Sequence, residues 1–333
     1  LLLALLALAA CKPAPPDPTV RLTGSTMGTT YDLKLIPMPG QTVPADFKNR
    51  VEELLAGVNR RMSTYDPNSE LSRFNQNPST DWIAVSPELQ QVIAEGLRIS
   101  DLSNGAFDIT VGPLVNLWGF GPEPRRDQLP SDAAIALARE RVGYWRLQSR
   151  EQPPALKKER ADLYVDLSAI AKGYGVDQLT ALVESTGIAN YLVSIGGEIR
   201  VRGLNGRGQP WTIAVEKPAP GQRAVERLIR VGDRSVSTSG DYRNFFEQNG
   251  QRYSHLIDPR TGRPVLQTLV SVTVISDRSM VADATATALM ASGPEVGFQL
   301  ASEHHLAAFF ILAKPDGFQE RFTPEFEPYL APE

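Results

Sequence analysis

The stretch VDLSAIAKGYGVDQL, residues 165–179, changes character halfway along. Val165 to Leu167 belong to a strand-like run over 162–168. Ala169, Ala171, Gly173 and Gly175 carry little side chain and leave backbone groups accessible, and after Lys172 the pattern is helical over 173–186. Lys172 at the start of that helix opposes the macrodipole, a placement that helps where an anion lies between the two. By itself the stretch also fits an ordinary strand–helix junction.

Working outward, Phe47, Val51, Leu54, Leu55, Val58 and Met62 share one face of a helix over 46–62. A second helix covers 87–102, with Ser86 as N-cap and Pro87 at the first position, and a third runs from Ser131 to near Gly143. A further helix covers 280–291. Strand-like runs lie at 29–36, 190–195, 211–216, 227–231, 270–276 and 306–313. Residues 149–160, SREQPPALKKER, read as an exposed polar loop. Helices and strands without strict alternation predict an α+β fold with mixed sheets. The run Gly203-Leu-Asn-Gly206-Arg-Gly208 has its glycines in the wrong order for the dinucleotide fingerprint, and no phosphate-binding P-loop motif occurs. A nucleotide, if bound, is not bound in the Rossmann way.

The 333 residues are 42% hydrophobic and 22% charged, which is globular composition. The net charge of −4 argues against a general nucleic-acid binder. The apolar run LLLALLALAA at 1–10 is shorter than the roughly 20 residues of a membrane-spanning helix and looks like the h-region of a secretory signal. Leu8-Ala9-Ala10-Cys11 resembles a lipobox, which would make Cys11, the sole cysteine, a lipidation site; a Pro-rich tether follows to residue 20. The expected organisation is therefore leader 1–10, lipidated tether 11–20 and a single domain 21–333. The expected location is the periplasmic face of the cytoplasmic membrane. Lys12, not aspartate, follows Cys11, so the inner leaflet of the outer membrane stays open.

Five stretches could carry chemistry. In ADATATAL, 282–289, Asp283 and Thr287 share a helix face and offer hard oxygen ligands suited to Mg²⁺, although a capping Asp and a solvated Thr would look the same. VDLSAIAKGYGVDQL is the second. The nearly uncharged NGAFDITVGPLVNLWGFG, 104–121, could wall a flat ligand with Phe107 or Trp118. GSTMGTTY, 24–31, and STYDPNSELSRFN, 63–75, set turn chemistry beside aromatic residues. Finally RYSHLIDPRTGRPV, 252–265, places His255, one of three histidines, before an Asp-Pro turn, after a turn expected at Gly240-Asp241. His304 and His305 read as a surface loop.

Seven pieces in order, MGT at 27–29, GAFDITVGPLVNLWGFG, DLSAIAKGYGVD, SIGGEIRVRG, STSGDY, SHLIDPRTGRP and ADATATAL, resemble the FAD:protein FMN transferases, the ApbE-type flavin transferases, over about residues 20–330. The resemblance implies a two-lobed mixed α/β fold with FAD in a cleft, and Mg²⁺. It implies transfer of the FMN half of FAD to a Thr or Ser hydroxyl of a target protein, through a phosphoester, with release of AMP. Targets would be flavin-accepting subunits of membrane redox complexes of the sodium-pumping quinone reductase type. Carried over by position, FAD contacts are Met27, Tyr65, Ala106, Phe107, Asp108, Asp166, Lys172 and Ile257. The metal would be held by the Ala169 carbonyl, Asp283 and Thr287. His255 would be the base, with Asp258 either orienting it or replacing it. Two rival readings use the same residues: an FAD pyrophosphatase giving FMN and AMP, and a periplasmic lipoprotein that binds flavin without chemistry.

Overall fold

Thr26 and Thr29 face each other across a two-residue turn, Met27-Gly28, in which both φ angles are positive, 49° and 70°. That is the backbone of the tightest hairpin turn, whose twist matches that of the strands it joins. It connects β1 (Val20–Thr26) to β2 (Thr29–Ile36). The computed structural model describes residues 17–123, 128–216, 225–240, 244–265 and 268–331. Cys11, the leader, most of the tether and Asp241 lie outside these.

Six more strands complete one large sheet: β3 (Asn190–Ile195), β4 (Glu198–Arg202), β5 (Ser235–Gly240), β6 (Leu269–Ser276), β7 (Ala307–Lys314) and β8 (Gly317–Phe322). They lie side by side in chain order, and every ladder between them is antiparallel. The α+β class is as expected; the mixed pairing is not. Tight turns join β1 to β2, β3 to β4 and β7 to β8, the other connections are long excursions, and antiparallel neighbours need no crossover helix of the kind that parallel pairing requires.

Alternation along the strands sorts residues to the two faces. Tyr191, Val193 and Ile195 of β3 pack with Tyr31, Leu33 and Leu35 of β2 beneath α1 (Phe47–Met62) and α3 (Ala171–Glu184). Leu192 points the other way, with Val201, Ile275 and Phe309, against the hairpin of Thr212–Glu216 and Val225–Arg230. α2 (Pro87–Leu102) opens on Ser86, whose hydroxyl accepts the Leu89 N–H, as predicted. The helix after Ser131 is capped in the same way but ends at Arg139.

α4 (Ser279–Ser292) is buried on nearly all sides, between the sheet and α3. Its alanines let it approach closely, and so does Gly173 of α3. A Cβ there would lie 2.4 Å from the Ser279 carbonyl oxygen. Neither helix has a side-chain cap of its own, so each caps the other. Asp177 of α3 accepts the Ser279 and Met280 N–H groups at 2.7 and 3.0 Å, and Asp283 of α4 accepts the Gly173 N–H at 2.9 Å.

Two further expectations fail. Residues 162–168 form no strand, because Val165 pairs with a side chain: the Asn75 amide donates to its carbonyl and accepts its N–H, both at 2.8 Å. The stretch 149–160 is not an exposed loop. Leu147–Arg150 and Ala155–Lys158 pair antiparallel, and the Lys158 ammonium is wholly buried. It donates at 3.2 Å to the carbonyls of Phe74 and Asn75, at the end of the unpredicted helix Glu70–Gln76.

Candidate active site

A cavity of about 480 Å³ opens where α3 and α4 begin, between the large sheet and the loops that face it. That volume lies in the range of small-molecule sites. His255, the metal ligands and the FAD contacts carried over by position line it, Met27 excepted.

One wall is the segment after α2. The Ser103 hydroxyl accepts the Phe107 N–H at 3.0 Å and so sets Ala106, Phe107 and Asp108 along the cavity. Asp108 faces inward yet is heavily used by its own loop. Its carboxylate accepts the Thr110 N–H, the Thr110 hydroxyl and the Tyr144 N–H, at 2.7, 2.7 and 3.0 Å. Burial nonetheless pushes its carboxyl above the ordinary range, against the pull of these donors. The Ile109 carbonyl accepts the Asp166 N–H at 2.7 Å, and this joins the first wall to the next segment. There Asp166 closes a turn with Ser168, whose N–H and hydroxyl reach it at 2.8 and 2.6 Å.

The charged centre lies where this segment enters α3. Lys172 sits 2.9 Å from Glu198 and 3.4 Å from Asp283, and both carboxylates are buried. Burial disfavours the ammonium, but the two carboxylates outweigh it and raise its pKa above the ordinary lysine value. The anion expected between Lys172 and the helix start is therefore Asp283, which caps α3 rather than its own helix. Thr287, one turn along α4, lines the same cavity, as does Ala169.

Among the described residues no group of three or more His, Cys, Asp or Glu side chains could hold a metal. Asp283, Thr287 and Ala169, which line the cavity together, offer a carboxylate, a hydroxyl and a backbone carbonyl, all hard oxygens. The Asp283 oxygen turned away from Gly173 already meets a positive charge. This set suits a hard divalent cation that takes its other ligands from phosphate or water.

The opposite wall carries His255. The hairpin of Phe245–Gln248 and Gln251–Ser254 leads into it. Trp118, Tyr253, Phe246 and Phe120 stack in succession at 5.6, 5.1 and 5.4 Å, and the Phe120 ring meets the imidazole edge-on at 6.3 Å. The His255 Nδ1 lies 2.9 Å from the Asn244 carbonyl. A carbonyl only accepts, so Nδ1 carries the hydrogen and Nε2 the lone pair. Burial lowers the imidazole pKa below its ordinary value, the Asn244 contact raises it in part, and Lys172 pushes it down again. Asp258 does not orient the ring. Its carboxylate is taken by Arg260, at 2.9 and 3.2 Å.

Ile257 lines this wall, and Tyr65, 64% exposed, reaches across the mouth to donate to the Phe120 carbonyl at 3.1 Å. Trp118 is no ligand wall. It is buried, and its Nε1 donates to the Gly262 carbonyl at 2.8 Å. Met27 misses the cavity because the hairpin turn lays its side chain against Gly175, between two core clusters. Sequence reasoning did not single out Glu198, Asn244 or Phe120. Glu198 and Phe120 stood inside quoted motifs, whereas Asn244 acts through its carbonyl, which no side-chain pattern reveals. His304 and His305 lie on the surface as expected.

Residues 27–310 match the model of the ApbE family. A Vibrio cholerae protein named FAD:protein FMN transferase is 48% identical over 330 residues, 99% of this chain and 98% of its own length. The protein of that name from Escherichia coli K12 is 42% identical over 316 residues, 94% of this chain and 89% of its own. The structure titled flavin transferase ApbE from Vibrio cholerae superposes with a TM-score of 0.88, at 47% identity, over 94% of this chain and 99% of that one. The apo flavinyl transferase ApbE of Pseudomonas stutzeri gives 0.86 at 37% identity, over 95% and 98%.

Proposed function

The chain belongs to the ApbE family and is a transferase that moves FMN from FAD to a target protein; on that premise we propose how this site does it. The acceptor is a Thr or Ser hydroxyl. Its oxygen attacks the phosphorus on the FMN side of the pyrophosphate, the anhydride bond breaks, and AMP leaves with the bonding pair. FMN is then joined to the target by a phosphoester.

Such a hydroxyl is a poor nucleophile and needs a base that is neutral at the working pH. His255 fits. Its pKa is lowered, its Nδ1–H is committed to Asn244, and Nε2 is the nitrogen that takes the proton. Phe107 and Ile257, with Tyr65 at the mouth, hold the flavin, and Ala106, Asp108 and Asp166 line its path. Lys172 supplies positive charge for the phosphates. Mg²⁺, held by the Ala169 carbonyl, Asp283 and Thr287, would neutralise the pyrophosphate and stabilise the departing AMP. The observation that carries this reading is that His255 lines one cavity with Asp283 and Thr287 of α4, although it lies on a separate element.

The experiment mixes purified protein, FAD, Mg²⁺ and a target domain. A fluorescent flavin band on a denaturing gel, with one AMP per flavin attached, is expected. AMP and free FMN without a labelled target would support the pyrophosphatase reading, and neither product would support a flavin-binding lipoprotein. The anchor is part of the proposal. The apolar run before Cys11 and the Pro-rich tether suit a lipoprotein on the periplasmic face of the cytoplasmic membrane, within reach of the flavin-accepting subunits of membrane redox complexes.

A further inference from the structure

We propose that Lys172 and a divalent cation compete for the same oxygen of Asp283, and that Glu198 sets the balance by offering the ammonium a second anion. This rests on the reading of Asp283 as a metal ligand. One Asp283 oxygen accepts the Gly173 N–H at 2.9 Å, which leaves Oδ1 to meet a cation; Oδ1 is the oxygen that Lys172 approaches, at 3.4 Å. The ammonium is closer to Glu198, at 2.9 Å.

Glu198 reaches this point because Gly196 turns the chain with φ of 62°. A Cβ on Gly196 would lie 3.4 Å from the Lys172 side chain, so the stem is confined as well. Two positive charges a few ångströms apart in a partly buried site repel strongly. A metal at Oδ1 therefore displaces the ammonium towards Glu198, where it keeps a partner. Without Glu198 the ammonium would have, among the described residues, only Asp283, and the metal would have to break that pair. Lys172 and Glu198 are thus positioning residues that tune cation binding.

The test is calorimetric titration with Mg²⁺ alone, in the absence of FAD, on the whole protein. Lys172→Gln should bind Mg²⁺ about ten-fold more tightly than wild type or better, and Glu198→Gln about ten-fold more weakly, the scale of a charge in direct contact. Arg263→Gln removes a cation that pairs with Asp132 away from the cavity and should change affinity less than about two-fold, as expected of an exposed, screened charge. Equal effects of Lys172→Gln and Arg263→Gln, or no Mg²⁺ binding by Lys172→Gln, overturn the proposal. Asp283→Asn separates it from the reading beneath it. If Asp283→Asn abolishes Mg²⁺ binding while the Lys172 and Glu198 variants match wild type, the competition alone fails. If Asp283→Asn binds Mg²⁺ as wild type does, both fail.

Discussion

The two walls of the cavity are built on different physics. At the α3–α4 junction the functional groups also hold the fold: Asp283 caps α3, Asp177 caps α4, and Gly173 lets the helices touch. On the facing wall His255 rides on a ladder of stacked rings and one bond to a main-chain carbonyl. A change in the first wall therefore alters stability and chemistry together, whereas a change at His255 should alter chemistry alone.

The sharpest way to break this contrast is His255→Ala. Transfer should fall roughly 10²–10⁴-fold, the usual contribution of a general base. FAD affinity, measured on the same sample, should stay within a few-fold, and the melting temperature should not move. A loss of affinity that accounts for the whole rate loss would make His255 a ligand contact. The same residue predicts a pH profile. Because the imidazole pKa lies below its ordinary value, the neutral base predominates at neutral pH and is lost as pH falls through that lowered value. The rate should decline on the acid side of neutrality, and His255→Ala should lack that decline.

Next in size is Gly173→Ala. The added methyl would meet the α4 backbone rather than a movable side chain. Overpacking of this kind costs about 1–3 kcal/mol, read as a drop in denaturant midpoint at unchanged slope. Asp283 offers a finer cut. Asp283→Ala should lose about 1 kcal/mol through the missing cap, while Asp283→Asn can still accept the Gly173 N–H and should lose less. Both should lose metal-dependent transfer. Equal stability of the two variants would remove capping from the account. The smallest effect belongs to Tyr65→Phe, which deletes one exposed hydrogen bond. It should change stability by well under about 1 kcal/mol and FAD affinity only a few-fold.

Much of this was legible locally. Ser86 and Ser131 announced their helices because capping is a matter of neighbouring residues. The runs 29–36 and 190–195 are rich in strand-forming residues, and their strands have those bounds. Asp283 and Thr287 stood four apart, and a helix put them on one face. The motif order carried the family.

The tertiary structure decided what depends on partners far along the chain. Strand-like 162–168 is no strand, because Asn75, 90 residues away, supplies the hydrogen bonds a neighbouring strand would have made. Polar 149–160 ends in a buried lysine, because helix-end carbonyls more than 80 residues distant accept its protons. Met27 belongs to a family motif, yet the turn that makes it part of a hairpin also lays its partly buried side chain against the core. Asp283 caps a helix through Gly173, 110 residues before it, and a main-chain carbonyl, not Asp258, orients His255. Periodicity records which face of an element is buried and caps record where it starts. Neither records which distant donor or acceptor completes a buried polar group, since that choice is made only when the chain closes on itself.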